Sequence, residues 1–160
     1  MKTIPYDRAA AVAYAERWAL SRNPAYYDFD SLGGDCTNFV SQCIYAGCGV
    51  MNYTPDTGWY YSGLTRRAPA WTGVDALYRF LIHNRGTGPF AKSVPRSGIA
   101  QGDVIQLGTA DGRFYHSLLV LSPSPPVWIA AHTDDSLWRP LDSYQFGSIR
   151  FLHIEAARTY

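Results

Sequence analysis

The fold is decided by the stretch at residues 33–47, which reads GGDCTNFVSQCIYAG. The paired glycines allow a tight backbone, Asp35 is a residue type favoured at helix N-caps, and Gly47 is a residue type common at helix ends. Between them, apolar residues recur at helical spacing: Phe39, Val40, Cys43 and Ile44. The stretch therefore predicts a helix that begins at Asp35 or Cys36, ends at Gly47 and buries one face.

Cys36 lies in the first turn of this predicted helix. A thiol at that position feels the positive end of the helix dipole, which lowers its pKa and favours the reactive thiolate. Cys36 is therefore a candidate nucleophile, and the alternative is a buried cysteine with a structural role only.

Two further helices and two irregular segments are predicted around this stretch. Pro5 suits a first turn, and the helical spacing of apolar residues then extends from Tyr6 to about Ser21. A loop follows at 24–34, and residues 48–71 have no clear period, which in a compact domain favours a functional loop. Thr72 is expected to cap a third helix that ends near Gly86.

From Gly102 the apolar period changes to two, which predicts strands at 103–107, 114–121, 127–132 and 149–154. Helices followed by a meandering antiparallel sheet define an α+β fold with the helices on one side. The whole chain, residues 1–160, is expected to form a single domain.

The sheet brings two histidines together if Leu121 pairs with Val127 across the connection at 122–126. In that antiparallel register His116 lies directly opposite His132, with Cβ atoms about 4.5–5.5 Å apart. With Cys36 packed over the sheet, His116 would be the general base, and His132 would fix its tautomer.

Other registers change the third residue of this site. A shift of two residues would set Asp134 opposite His116, whereas a shift of one would turn the partner to the wrong face. His83 and His153 are expected to be structural.

Aromatic residues are candidates for substrate binding. Tyr26 or Tyr27 could supply a second oxyanion donor, and Trp59, Tyr60 and Trp71 are either core residues or the wall of a substrate groove.

Composition excludes several classes. Hydrophobic residues make up 47% and charged residues 17% of the chain, and the net charge of +1 lacks the basic excess that nucleic-acid binding requires. The sequence contains no run of 18 apolar residues, so no membrane span is predicted. Three cysteines form neither a disulfide framework nor a zinc spacing, so no metal is expected. The first residues lack a signal peptide, which predicts a cytoplasmic protein or a domain of a longer secreted chain.

The stretch at 34–42, GDCTNFVSQ, resembles the signature of the putative amidase domain family, which is grouped with the papain-like NlpC-type and CHAP cell-wall hydrolases. The resemblance covers nearly the whole chain. It continues through Asn23-Pro24-Ala25-Tyr26, Trp59-Tyr60-Tyr61, Gly102-Asp103-Val104-Ile105, His116-Ser117 and His132-Thr133-Asp134.

The resemblance implies a papain-like fold of the NlpC/CHAP type, with the nucleophile helix packed on an antiparallel sheet. It also implies a catalytic Cys36, His116 and His132. The expected reaction is cleavage of an amide bond through a thioester, without metal or cofactor. The expected substrate is a peptide or small amide, with peptidoglycan stem peptides included. An acyltransferase with the same site, and a non-catalytic peptide- or glycan-binding module, are the alternatives.

Overall fold

Seven antiparallel strands form the main sheet of the computed structural model, which describes residues 1–160. In chain order the strands are β1 Lys2–Ile4, β2 Tyr61–Gly63, β3 Arg66–Arg67, β4 Gly88–Val94, β5 Val104–Gly108, β6 Phe114–Ser122, β7 Trp128–Ala131, β8 Ser136–Pro140 and β9 Ser148–Thr159; β2 and β3 form a separate hairpin. The helices are α1 Arg8–Trp18, α2 Cys36–Cys48, α3 Pro69–Thr72 and α4 Val74–His83. None of the four combines the length and hydropathy of a membrane span.

The sheet confirms the predicted α+β class, and the four predicted strands correspond to β5, β6, β7 and β9. Strands β5 to β8 are neighbours in sequence order, but β9 returns to pair with β5. The prediction of a simple meander is therefore wrong for the last strand, because β8 occupies the place beside β7. The long β9 pairs with β4 along one side and with β5 and then β1 along the other.

The helix α2 extends beyond its predicted end. Gly47 lies inside the helix under the ring of Tyr6, where an added Cβ would come within 2.4 Å of that ring. The helix ends one residue later at Cys48, and Gly49 supplies the left-handed C-cap with a φ of 68°. Gly47 thus permits close packing rather than stopping the helix.

The predicted starts of the first and third helices are also wrong. The side chain of Asp7 caps α1 by accepting the N–H of Ala10 at 3.0 Å, so Pro5 precedes the helix. Thr72 ends the short helix α3, and Gly73 is the N-cap of α4 without a side-chain cap.

Apolar residues form a core on each face of the sheet. The larger cluster lies on the face that the helices cover and includes Phe39 of α2, Leu81 of α4 and Leu119 of β6. The smaller cluster lies on the opposite face and includes Leu107 and Leu118. The helices are thus on one side of the sheet, as predicted, and α2 packs directly on β6.

Candidate active site

Cys36 is the first residue of α2 and is 8% exposed. Burial raises the pKa of its thiol above the ordinary value, and the backbone N–H groups of Ser117 and Thr37 only partly oppose that rise. The predicted lowering of this pKa by the helix start is therefore wrong, because desolvation of the thiolate outweighs the helix dipole. The resting sulfur carries its proton.

His116 lies on β6 directly opposite Leu107 of β5. Burial lowers the pKa of His116 to about 4; the guanidinium of Arg139 adds to this decrease, and the carboxylate of Asp134 opposes it. The imidazole is therefore neutral at neutral pH and can accept a proton.

Cys36 and His116 line one cavity of about 260 Å³. Its walls are formed by Gly33, Gly34, Cys36, Leu107, Tyr115, His116, Thr133 and Tyr144. No hydrogen bond joins the sulfur to the imidazole. A neutral thiol and a neutral imidazole that share a small cavity are suited to proton transfer during attack on a bound carbonyl group.

β7 ends at Ala131, before it reaches the level of His116, and this explains how Cys36 and His116 come to line one cavity. Pairing between β6 and β7 begins at Leu119 and Ala130, so residues 114–117 of β6 have a strand neighbour on one side only. The α2 helix begins at this open edge, where Thr37 Oγ1 lies 3.0 Å from Ser117 Oγ. Side chains of α2 and of the opposite sheet face can therefore reach the same cavity.

His132 does not lie opposite His116. The observed register pairs Leu119 with Ala130 and Val120 with Ile129, so the paired residue numbers sum to 249 rather than the 248 predicted. The first pair of the hairpin, Ser122 with Trp128, sums to 250, which is already two away from the prediction, and the bulge at Leu121 then moves the register by one residue to 249. The predicted pairing of the two histidines is wrong, since a shift of one turns the partner to the other face.

The ring of His132 is buried among residues that hold the start of α2. Its Nδ1 lies 2.5 Å from Asp35 Oδ2, and its Nε2 donates to the carbonyl oxygen of Trp18 at 2.7 Å. The ring also stacks on Phe39 with centroids 4.1 Å apart. The side chain of Asp35, the N-cap residue of α2, makes no capping hydrogen bond to the helix backbone.

Asp134 lies in the turn after β7 and does not pair with His116. Its side chain is 92% exposed, and its carboxylate lies 3.5 Å from Arg139. It acts on His116 only as a nearby charge, because no hydrogen bond joins the two.

None of the five candidate aromatic residues lines the cavity of Cys36. Trp59 and Trp71 are fully buried in the larger core, so the interpretation as core residues is the one that holds for both. Tyr26 packs between Trp71 and Tyr61, which draws its ring into the same aromatic cluster. Tyr27 packs edge-on against Phe29, and Tyr60 packs against Tyr53.

The aromatic side chains that do line the cavity are Tyr115 and Tyr144. The Tyr144 ring lies 5.8 Å from the ring of His116 and carries the guanidinium of Arg139 on its face at 3.6 Å. Sequence spacing gives no signal for Tyr144, because it follows a single 3₁₀ turn far along the chain. Tyr115 precedes His116 on β6, and because adjacent strand residues point to opposite faces, sequence spacing gives no signal for Tyr115 either.

A larger cavity of about 590 Å³ lies between the 52–57 segment and α4. It contains Arg79, His83 and Arg85 but no cysteine and none of the predicted catalytic residues. His153 lies elsewhere, paired through Nδ1 with the buried carboxylate of Asp103 at 2.7 Å. That contact gives His153 the structural role predicted for it.

The chain belongs to the Putative amidase domain family, whose pattern matches residues 5–154. The description of this family corresponds to hydrolysis of an amide bond.

Two similar proteins come from Bacillus subtilis (strain 168). The uncharacterized protein YhbB is 32% identical over 124 residues, which are 76% of this chain and 39% of YhbB. The uncharacterized protein YjcM is 30% identical over 141 residues, 82% of this chain and 32% of YjcM. The chain thus spans less than half the length of either relative. No solved structure matches the chain.

Proposed function

We propose that this protein hydrolyses an amide bond with Cys36 as the nucleophile and His116 as the general base. The observation that carries the proposal is that the two side chains line one cavity, the cysteine at a helix start and the histidine on the adjoining strand. Membership of the family supports the reaction class.

The reaction has two steps. His116 takes the thiol proton as Cys36 Sγ bonds to the carbonyl carbon, and the imidazolium then gives that proton to the amine as the C–N bond breaks. Water next attacks the thioester, His116 takes its proton, and the C–S bond breaks to release the acid and restore the thiol. Since both groups rest neutral, the proton moves only as the new bond forms.

The backbone N–H of Cys36 is the candidate oxyanion donor. As the first residue of α2, Cys36 has no acceptor for its N–H within the helix, no turn, loop or cap hydrogen bond uses that N–H, and it lies at the positive end of the helix. Such a free amide is suited to bind the oxygen on which negative charge develops.

The substrate we propose is a peptide or small amide, with a peptidoglycan stem peptide as the first to be tested. The cavity is suited to bind a small acyl group, because its walls are mostly glycine, apolar and aromatic residues. We also propose that the fold is papain-like and of the NlpC/CHAP type, since a nucleophile helix packs on an antiparallel sheet.

The test is hydrolysis of a panel of peptide and muropeptide amides by the parent protein and by Cys36→Ser. Cys48→Ser is the matched control, because Cys48 ends the same helix and is equally exposed at 8%. We expect Cys36→Ser to lose hydrolysis and Cys48→Ser to keep it. Activity that survives in Cys36→Ser would refute the proposal.

Two further measurements separate the alternatives. Product analysis with added amine distinguishes hydrolysis from acyl transfer, which would yield a new amide. Alkylation by iodoacetamide should modify Cys36 before Cys43 and Cys48, since only Cys36 lines the cavity. Equal rates at all three cysteines would favour a binding module without catalysis.

A further inference from the structure

Asp35, the residue before the nucleophile, is held by more contacts than a helix cap would need. Its Oδ1 accepts the backbone N–H of Phe29 at 2.8 Å and the side-chain amide of Asn38 at 2.9 Å. Its Oδ2 faces Nδ1 of His132 at 2.5 Å. Its own backbone N–H donates to Thr133 Oγ1 at 3.2 Å. An oxygen that accepts two donors while its partner oxygen faces a ring nitrogen is the pattern of an ionised carboxylate.

The protonation of His132 follows from its two partners. A backbone carbonyl can only accept, so Nε2 must carry a proton to bind Trp18. Nδ1 faces the carboxylate of Asp35, so a second proton lies between them. Both side chains are only 1% exposed, so water cannot replace either contact. The arrangement favours an imidazolium paired with a carboxylate.

We propose that Asp35 and His132 form a buried ion pair that seats Cys36, and that His132 is a positioning residue acting through Asp35 rather than on His116. The inference rests on the proposed function of Cys36. The pair ties together the end of α1, the 24–34 loop, the start of α2 and the turn after β7. It therefore fixes the position of the sulfur and of the free N–H of Cys36.

The pair also sets the charge beside the sulfur. The carboxylate of Asp35 disfavours the thiolate of Cys36 and so contributes to the raised pKa of that thiol. An imidazolium at His132, with Nδ1 2.5 Å from Asp35 Oδ2, would offset the charge of the carboxylate. The other charged group facing Asp35 is Arg22, whose Nε lies 3.6 Å from Oδ2. Arg22 is itself surrounded by carboxylates, those of Asp28, Asp30 and Asp135. Arg22 is therefore shared among several carboxylates, whereas Asp35 is the only carboxylate that pairs with His132.

The test is the rate of Cys36 alkylation by iodoacetamide as a function of pH in His132→Gln. The matched control is His153→Gln, which removes another histidine paired with a buried carboxylate, away from the cavity. We expect His132→Gln to raise the midpoint for Cys36 by about one pH unit, which is about ten-fold slower alkylation near neutral pH. The control should leave the midpoint unchanged. A folded His132→Gln protein with the parent midpoint would overturn the inference.

A measurement on the parent protein covers the case in which His132→Gln does not fold. Nitrogen NMR of the histidine rings should show both nitrogens of His132 protonated near neutral pH. A ring with only one protonated nitrogen would overturn the inference. Hydrolysis is a separate readout: if no amide is cleaved while Cys36 alkylation still depends on His132, the proposed function fails and the ion pair stands.

Discussion

The cavity around His116 makes protonation of its ring unfavourable, and this should be measurable as a fall in the free energy of unfolding at acidic pH. We consider the substitution His116→Gln, which removes the ionisable ring but keeps a polar side chain. Burial and the charge of Arg139 lower the pKa of His116 from its ordinary 6.5 to about 4 in the folded protein. In the unfolded chain the same ring should titrate near its ordinary value.

The sign of the effect follows from proton uptake. Above about pH 6.5 the ring is neutral in both states and has no pH-dependent effect. Between about pH 6.5 and pH 4 the unfolded chain binds a proton that the folded protein does not, so the free energy of unfolding falls as pH falls. At about 1.4 kcal/mol per pKa unit, the total loss from His116 is about 3 kcal/mol. Below about pH 4 both states are protonated and the loss stays constant.

The assay is urea unfolding of the parent and His116→Gln proteins in a series of buffers from near pH 7 to near pH 4. All other groups contribute equally to both proteins, so the difference between their unfolding free energies isolates His116. We expect that difference to change by about 3 kcal/mol in favour of the variant across the series. His83→Gln, at the exposed end of α4, controls for removing a histidine. A difference that stays constant with pH would refute the assigned environment of His116.

Three further predictions concern the base, the core and a buried carboxylate. The acid limb of the pH profile of kcat/KM should have its midpoint near pH 4, where His116 gains its proton. Arg139→Gln should raise that midpoint and Asp134→Asn should lower it, because Arg139 lowers and Asp134 raises the pKa of His116. Identical profiles for the three proteins would contradict the assigned charges. Trp71→Ala should lower the free energy of unfolding by about 3–5 kcal/mol in urea titrations, because the indole is fully buried; a loss below about 1 kcal/mol would argue against its core role. Asp103→Asn should cost about 3–5 kcal/mol by the same method, because the buried carboxylate accepts four hydrogen bonds; parent-like stability would contradict this.

The elements that could be predicted from the sequence are those with a sustained hydrophobic period. The period of α2 and the alternation in β5, β6 and β9 are local properties, so they can be read without knowing the partners. Strands β1 and β8 are short, and β4 begins with Gly88-Pro89, which interrupts a strand pattern. Such strands are stabilised by their neighbours in the sheet, which a local pattern does not contain.

The candidate site was predictable only in part, for a related reason. Cys36 is marked by its place at a helix start, and His116 by its place in an alternating strand. The predicted partner of His132 depended on a register, and both the first pair of the hairpin, Ser122 with Trp128, and the bulge at Leu121 differ from that register. Tyr144 reaches the cavity from a 3₁₀ turn whose position is set by tertiary packing alone.

Burial of the sulfur at Cys36 has a consequence for how long the protein survives in oxidising surroundings. Peroxide oxidises thiolates, and a cysteine that rests with its proton in place is a poor target for that chemistry. The two other cysteines are buried as well, and none of the three forms a disulfide bond. Under the proposed mechanism, the same desolvation that keeps the sulfur uncharged protects it between turnovers, because His116 removes its proton only as the sulfur bonds to the carbonyl carbon.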